Sequence, residues 1–228
     1  MSFIVAIDGP AGAGKGTITK LVGEKLGLIN IDTGATFRCV ALNMIKDNVD
    51  ITDETKIKEI LKKINIEIRP NGEIFLNNEK VTKRIRENDV NNLVSPVSTI
   101  RIVREKLLDI QRKMAEGKNV IMEGRDIGTT VFPNADVKIY LDATPEERAR
   151  RRVLQNEEKG IVSSYEEVLE NIKDRDKRDS TREIAPLKKA DDAIYVDSTN
   201  LNIEQVVEKI IGIINDKNIA DFKFDSNN

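Results

Sequence analysis

Residues 3–17 read F-I-V-A-I-D-G-P-A-G-A-G-K-G-T. A short apolar run ends in Asp8, and a glycine-rich turn then opens an amphipathic stretch. Buried strand, G-x-x-x-x-G-K-G-T turn and helix, in that order, form the pattern of a phosphate-binding loop. Gly9, Gly12, Gly14 and Gly16, with Pro10, Ala11 and Ala13 between them, let the backbone close on an anion with its N–H groups inward. The helix N-terminus that follows favours the same charge. Lys15 is spaced to reach the β- and γ-phosphates of a nucleoside triphosphate, and Thr17 to offer a hydroxyl to Mg²⁺. Gly16 occupies the usual Ser/Thr position, so its backbone and the Thr17 hydroxyl are alternative contacts for the metal shell.

Outward from this loop, short apolar runs alternate with longer amphipathic ones. Phe3–Ile7, Leu28–Ile31, Asn119–Met122, Val137–Leu141 and Ala193–Val196 read as buried strands. Helical patterns cover Lys15–Leu26, Thr36–Lys46, Asp53–Lys63, Val97–Ala115, Pro145–Glu158, Tyr165–Arg178 and Ile203–Ile214. Such alternation predicts an α/β fold with a parallel sheet covered on both faces. One region breaks it. Ile64, Ile66 and Ile68 alternate with polar residues, and Asn71-Gly72 is a hairpin signal, so residues 64–81 read as a small antiparallel insertion.

Composition narrows the chemistry. The 228 residues carry 37 Lys+Arg against 39 Asp+Glu, which argues against a generic nucleic-acid or membrane-surface binder. No histidine is present, which removes imidazole bases, His ligands and Ser-His-Asp triads. The one cysteine, Cys39, excludes an intramolecular disulfide and suits a reducing cytosol. No apolar stretch approaches the roughly 20 residues of a membrane span. The tail at residues 218–228 is polar and aperiodic and is expected to be flexible.

Three further stretches carry charge where chemistry needs it. I-D-T-G at 31–34 ends the second strand, with Arg38 one turn into the next helix. Ligands of open α/β sheets lie beyond the carboxyl ends of strands, so Asp32 falls near a bound Mg²⁺ and Arg38 near a phosphate. E-G-R-D-I-G-T at 123–129 follows the third strand and sets Arg125 beside Asp126 at the same sheet edge. Finally, seven of the fifteen arginines fall within Arg148–Arg182. They read either as solvated helix faces or as guanidinium groups that neutralise crowded phosphate oxygens.

These motifs, with V-F-P-N-A-D-V-K-I-Y-L-D-A, E-R-A-R-R-R and R-D-K-R-D-S-T-R in order along the chain, resemble the bacterial cytidylate kinase family. The resemblance implies a P-loop kinase core with a five-stranded parallel sheet, and transfer of the ATP γ-phosphoryl group to CMP or dCMP. It implies one domain over 1–228, with a monophosphate-binding insertion at 53–115 and a lid at 155–164. It places Arg38, Arg125 and Arg182 on the acceptor phosphate, and Thr33, Ser95, Arg104 and Asp126 on cytosine. Arg175 and Asp179 fall to the ribose and Arg148 to ATP. Lys15, Arg125, Arg182, Arg151 and Arg152 would be the catalytic cations, with Mg²⁺ held by Thr17 and, through water, Asp32. The expected partners are small nucleotides rather than nucleic acid or membrane, and the expected state is a cytoplasmic monomer. Rival readings are a P-loop kinase for adenylate, uridylate or shikimate, a nucleotide-dependent switch protein, and a nucleic-acid binder using Arg148–Arg152.

Overall fold

The computed structural model describes residues 2–158 and 160–218. Strand β1 (Ile4–Asp8) leads into helix α1 (Lys15–Leu26), and β2 (Ile29–Asp32) into α2 (Thr33–Lys46). Helix α3 (Glu54–Lys63) precedes a three-stranded antiparallel sheet of β3 (Ile66–Ile68), β4 (Ile74–Leu76) and β5 (Glu79–Lys80). A 3₁₀ turn (Arg84–Arg86), α4 (Asn88–Val97) and α5 (Arg101–Ala115) return the chain to the core. There β6 (Val120–Gly124), a π-type turn (Ile127–Val131), β7 (Val137–Asp142), α6 (Pro145–Glu158), α7 (Tyr165–Thr181), β8 (Ile194–Asp197) and α8 (Ile203–Asn218) complete it.

The main sheet is parallel throughout, in the order β2-β6-β1-β7-β8. Its register sets Asp8 opposite Gly124 and Tyr140, and Asp32 opposite Glu123. The carboxyl ends of the three central strands and β2 therefore lie along one edge, with the phosphate loop leaving from β1. Both faces are covered, as the near-continuous apolar strands require. On one face Phe3, Val5, Ile7, Ile121 and Ile139 pack with Ile18, Val22, Ile210 and Ile214 of α1 and α8. On the other, Ala6, Ile31 and Met122 meet Ala115, Ile127 and Val131. A third cluster joins α2 to α3, α4, α5 and the small sheet through Leu42, Met44, Ile57, Ile74, Ile85 and Leu107.

All five predicted core strands are present, displaced by about one residue, and the insertion is antiparallel as its alternation predicted. The helices depart further from expectation, with α7 and α8 running on to Thr181 and Asn218, past the expected Arg178 and Ile214. Helix α2 starts at Thr33 rather than Thr36, because Asp32 accepts a hydrogen bond from Ala35 N at 3.1 Å and caps it. The helix expected over Val97–Ala115 begins only at Arg101, as α5, and a further helix that was not expected, α4, precedes it over Asn88–Val97. Val90, Val94 and Val97 form the buried stripe of α4, whose asparagines and Pro96 mask it in sequence. Pro96 sits in the last turn, and the chain breaks at Ser98–Ile100 before α5 begins. Of the expected tail, residues 219–228 lie outside the described residues.

Candidate active site

The phosphate loop is a backbone device. Gly9 has φ 153°, and a Cβ there would stand 1.9 Å from Leu141 O, so no side chain fits. Gly14, at φ 87°, opens α1 without a side-chain cap, leaving the first-turn N–H groups to a ligand. Lys15 is buried and folds back over the loop, where its Nζ donates to Gly9 O at 2.8 Å and Pro10 O at 2.7 Å. Burial, then the nearby Arg125 charge, hold its pKa well below the ordinary lysine range. Thr17 is exposed beside it, and its hydroxyl makes no hydrogen bond among the described residues.

Opposite the loop, Glu123 is the penultimate residue of β6. A Cβ on Gly16 would come within 3.1 Å of Glu123 Oε1, so the glycine leaves room for this carboxylate. Glu123 is buried, yet its carboxylate accepts no hydrogen bond and closes no ion pair among the described residues. Burial and the neighbouring Asp32 raise its pKa. Asp8, at the end of β1, is also buried and accepts from Ile127 N and Gly128 N, both at 2.8 Å. It pins the π-type turn to the strand that launches the phosphate loop. Burial pushes its carboxyl up to about 6.

Four arginines from three elements crowd the space between this loop and α7. Arg125 donates through Nε to Asp179 Oδ2 at 3.0 Å and through Nη1 to Gly124 O at 3.2 Å. Arg182 donates to Ala185 O at 2.7 Å and to Asp126 Oδ1 at 3.3 Å. Arg38 and Arg175 each keep a buried Nε with no hydrogen-bond partner among the described residues. Burial lowers the pKa of Arg38 and Arg182, and lowers that of Arg175 to about 10, with Arg125 as its second cause. Buried guanidinium N–H groups without acceptors are costly unless an anion meets them.

Beside this cluster lies a more completely paired one. Arg104, buried on α5, donates to Asp126 Oδ2 at 2.7 Å and Ser98 O at 2.9 Å, and its guanidinium lies 5.3 Å from the centre of the Phe37 ring. Thr33 Oγ1 donates to Glu123 O at 2.7 Å. Ser95 lies in the last turn of α4, its carbonyl accepting from Ser98 Oγ. The structure thus brings Lys15, Thr33, Arg38, Arg104, Arg125, Asp126, Arg175, Asp179 and Arg182 to one sheet edge.

Other expected residues stand differently. Asp32 caps α2 and pairs with Arg86 at 3.2 Å, with Arg38 at 3.9 Å, so its carboxylate is engaged. The carboxylate left free beside Gly16 belongs to Glu123. Arg151, one of the α6 arginines expected near the transferring group or adenine, donates to Ser198 O at 2.6 Å and Glu147 Oε1 at 2.8 Å, at the end of β8. Arg148 is buried against the loop's own backbone. Of the α6 arginines expected to act, only Arg152, exposed one turn beyond Arg148, is without a partner among the described residues. Sequence reasoning passed over Glu123, Asp8 and Arg86. For the two acids a signal existed: each is the one charged residue of an otherwise apolar core strand, at or next to its carboxyl end.

A glycine-rich loop after the central strand and a facing set of buried arginines define a P-loop kinase acting on a phosphorylated acceptor. The cytidylate kinase family model matches residues 5–216. Curated cytidylate kinases of Caldicellulosiruptor bescii and Fusobacterium nucleatum are 51% and 50% identical, covering 91% and 92% of this chain and 93% and 95% of their own lengths. That of Bacillus subtilis is 46% identical, covering 93% of this chain and 96% of its own. The chain belongs to the cytidylate kinase family. A crystal structure of an uncharacterised Eubacterium ventriosum protein shares the fold at a TM-score of 0.51, with 12% identity, over 94% of this chain and 99% of that one. Among the described residues, no helix is long and apolar enough to cross a membrane.

Proposed function

We propose that this kinase transfers the γ-phosphoryl group of ATP to the phosphate of CMP or dCMP, giving ADP and CDP or dCDP by direct in-line displacement. The observation that carries this reading is the pair of orphaned Nε atoms on Arg38 and Arg175, flanked by Arg125 and Arg182. The acceptor phosphate would meet Arg38, Arg125 and Arg182, and the ribose hydroxyls Arg175 and Asp179. Cytosine would exchange hydrogen bonds with Asp126, Arg104, Thr33 and Ser95. On the donor side, the phosphates of ATP would draw Lys15 off the Gly9 and Pro10 carbonyls, while Arg152 would cover the adenine side. The acceptor oxygen is already ionised, so no general base is required, consistent with a chain lacking histidine. Positioning and charge neutralisation supply the acceleration.

A divalent cation fits between the two sides. Among the described residues no three acidic, His or Cys side chains converge, but Mg²⁺ commonly uses one or two carboxylates plus phosphates. Glu123, buried without a partner, and the free Thr17 hydroxyl supply that oxygen donor set. When bound, the ion would neutralise charge on the β- and γ-phosphates. The lid would be the segment 155–164, the acceptor-binding insertion residues 53–115, and the working form a cytoplasmic monomer.

Coupled ADP release with Mg·ATP and CMP, dCMP, UMP, dUMP, AMP or GMP tests the reading. CMP and dCMP should turn over fastest. A faster rate with AMP would overturn it.

A further inference from the structure

One buried guanidinium is used by the fold in a way the reaction above does not require. Arg148, on the first turns of α6, is 3% exposed. Its Nε donates to Ala143 O at 2.9 Å, immediately before α6. Nη1 donates to Ala11 O in the phosphate loop at 3.0 Å and to Asp176 Oδ1 at 3.1 Å, while Nη2 reaches Asp176 Oδ2 at 2.6 Å. Four of the five N–H donors of a guanidinium are therefore taken, and the carboxylate pair is bidentate. Gly12 leaves space for this side chain, since a Cβ there would come within 3.4 Å of Arg148 Cβ.

The partners decide what this joint does. Ala11 belongs to the loop that would wrap the donor phosphates. Asp176 belongs to α7, where it neighbours Arg175. Arg175, Asp179 and Arg182 follow at helical spacing on the acceptor side. Asp179 in turn orients Arg125. A single side chain thus links the donor loop to the helix carrying acceptor ligands. A lysine could offer one charge here but could not fork to the carboxylate while holding two carbonyls.

We infer that the Arg148–Asp176 pair is a positioning device, which fixes α7 against the phosphate loop and so sets the distance between acceptor and donor phosphates. In this reading Arg148, whose donors are engaged by Ala143, Ala11 and Asp176, acts through the loop and α7 rather than on a nucleotide. The inference rests on the kinase reading above. A misplacement of about 1 Å between reacting groups costs roughly 100-fold in rate, so loosening this joint lowers turnover without removing any substrate ligand.

Asp176→Asn, Arg148→Lys and the double variant test it, with Arg148→Lys as the check should Asp176→Asn fold poorly. Kinetics are taken at 15 °C, below the measured melting temperature of every variant, with the Kd for Mg·ATP measured separately by calorimetry. First, the wild type is run against the acceptor panel, and its best acceptor is used throughout. A best acceptor other than CMP or dCMP would thus fail the functional reading while leaving this test intact. Each single variant should lower kcat by about tenfold or more and raise the acceptor KM at least fivefold, with the Kd for Mg·ATP changed less than twofold. The double variant should be no worse than the poorer single variant, because both break one joint. A lower melting temperature with unchanged kcat and acceptor KM, or multiplicative losses in the double variant, would overturn the inference.

Discussion

Two arginine-rich regions look alike as sequence and differ in what surrounds them. On α6, Arg148, Arg150 and Arg151 are matched to Asp176, Glu147 and the Ser198 carbonyl. At the acceptor end, Arg38 and Arg175 keep buried N–H groups that nothing among the described residues accepts, and burial holds their pKa values down. The first region is satisfied and holds helices together. The second is held open at a cost, as expected where the missing partner is a substrate anion. Arginine density by itself marks neither state; the supply of local acceptors does.

The sharpest way to break this contrast is to remove one cation from each site. Arg125→Ala should lower kcat by about 10²–10³, the loss typical of deleting one donor to transition-state charge. Its melting temperature without nucleotide should change little, since a crowded charge departs with the Asp179 contact. Steady-state kinetics with thermal melting checks both, and turnover within threefold of wild type would close the acceptor-site reading. Next in size, Asp126→Asn and Arg104→Met should reduce the CMP-over-UMP ratio of kcat/KM by about tenfold each, in line with the cost of unpaired polar groups. An unchanged ratio in both would remove these residues from base recognition.

On the satisfied side the effect should fall on stability. Arg151→Ala removes the shorter of two hydrogen bonds to the Ser198 carbonyl, leaving the one from Leu201 N at 3.2 Å, a loss of about 1 kcal/mol, and should lower the melting temperature by about 2–4 °C with kcat near normal. A tenfold fall in kcat would return Arg151 to the reaction. An effect of similar size concerns pH. Burial raises the Glu123 carboxyl above its unfolded value near 4.5, so the folded chain holds that proton more firmly. Its contribution to stability is fully present below that unfolded value and is lost as pH rises through the raised one. Glu123→Gln should therefore melt about 2–4 °C higher than wild type at pH 8 without nucleotide, with little gain at pH 5. Asp8 shifts the same way, to about 6, so a shallower decline should persist in the variant. Melting curves across that range decide it, and equal slopes would show Glu123 to be solvated.

How far the sequence carried differs along the same line. Strands and the phosphate loop were legible because a short apolar run ending in a turn signal has few alternative fates. Helix α4 was not, since its buried valines are interleaved with asparagine and Pro96, which depress helix propensity locally and yield only to packing. Among site residues, the E-G-R-D-I-G-T turn and the end of α7 meet at one charged edge, which the sequence left open between a solvated helix face and an anion site. Arg148 and Arg152 did not separate, because they share a face one turn apart. One is buried under the loop and the other exposed, a difference set by where α7 lands. Glu123 stayed unread because its meaning lies in what it lacks, a partner.

The lone cysteine has an experimental consequence. Cys39 is fully buried, and burial pushes its thiol up to about 12, so it is silent toward maleimides at neutral pH. Val162, between α6 and α7, is 100% exposed. Val162→Cys therefore places a single fluorophore or spin label at that hairpin without first stripping native thiols, and makes nucleotide-induced movement there directly visible by spectroscopy.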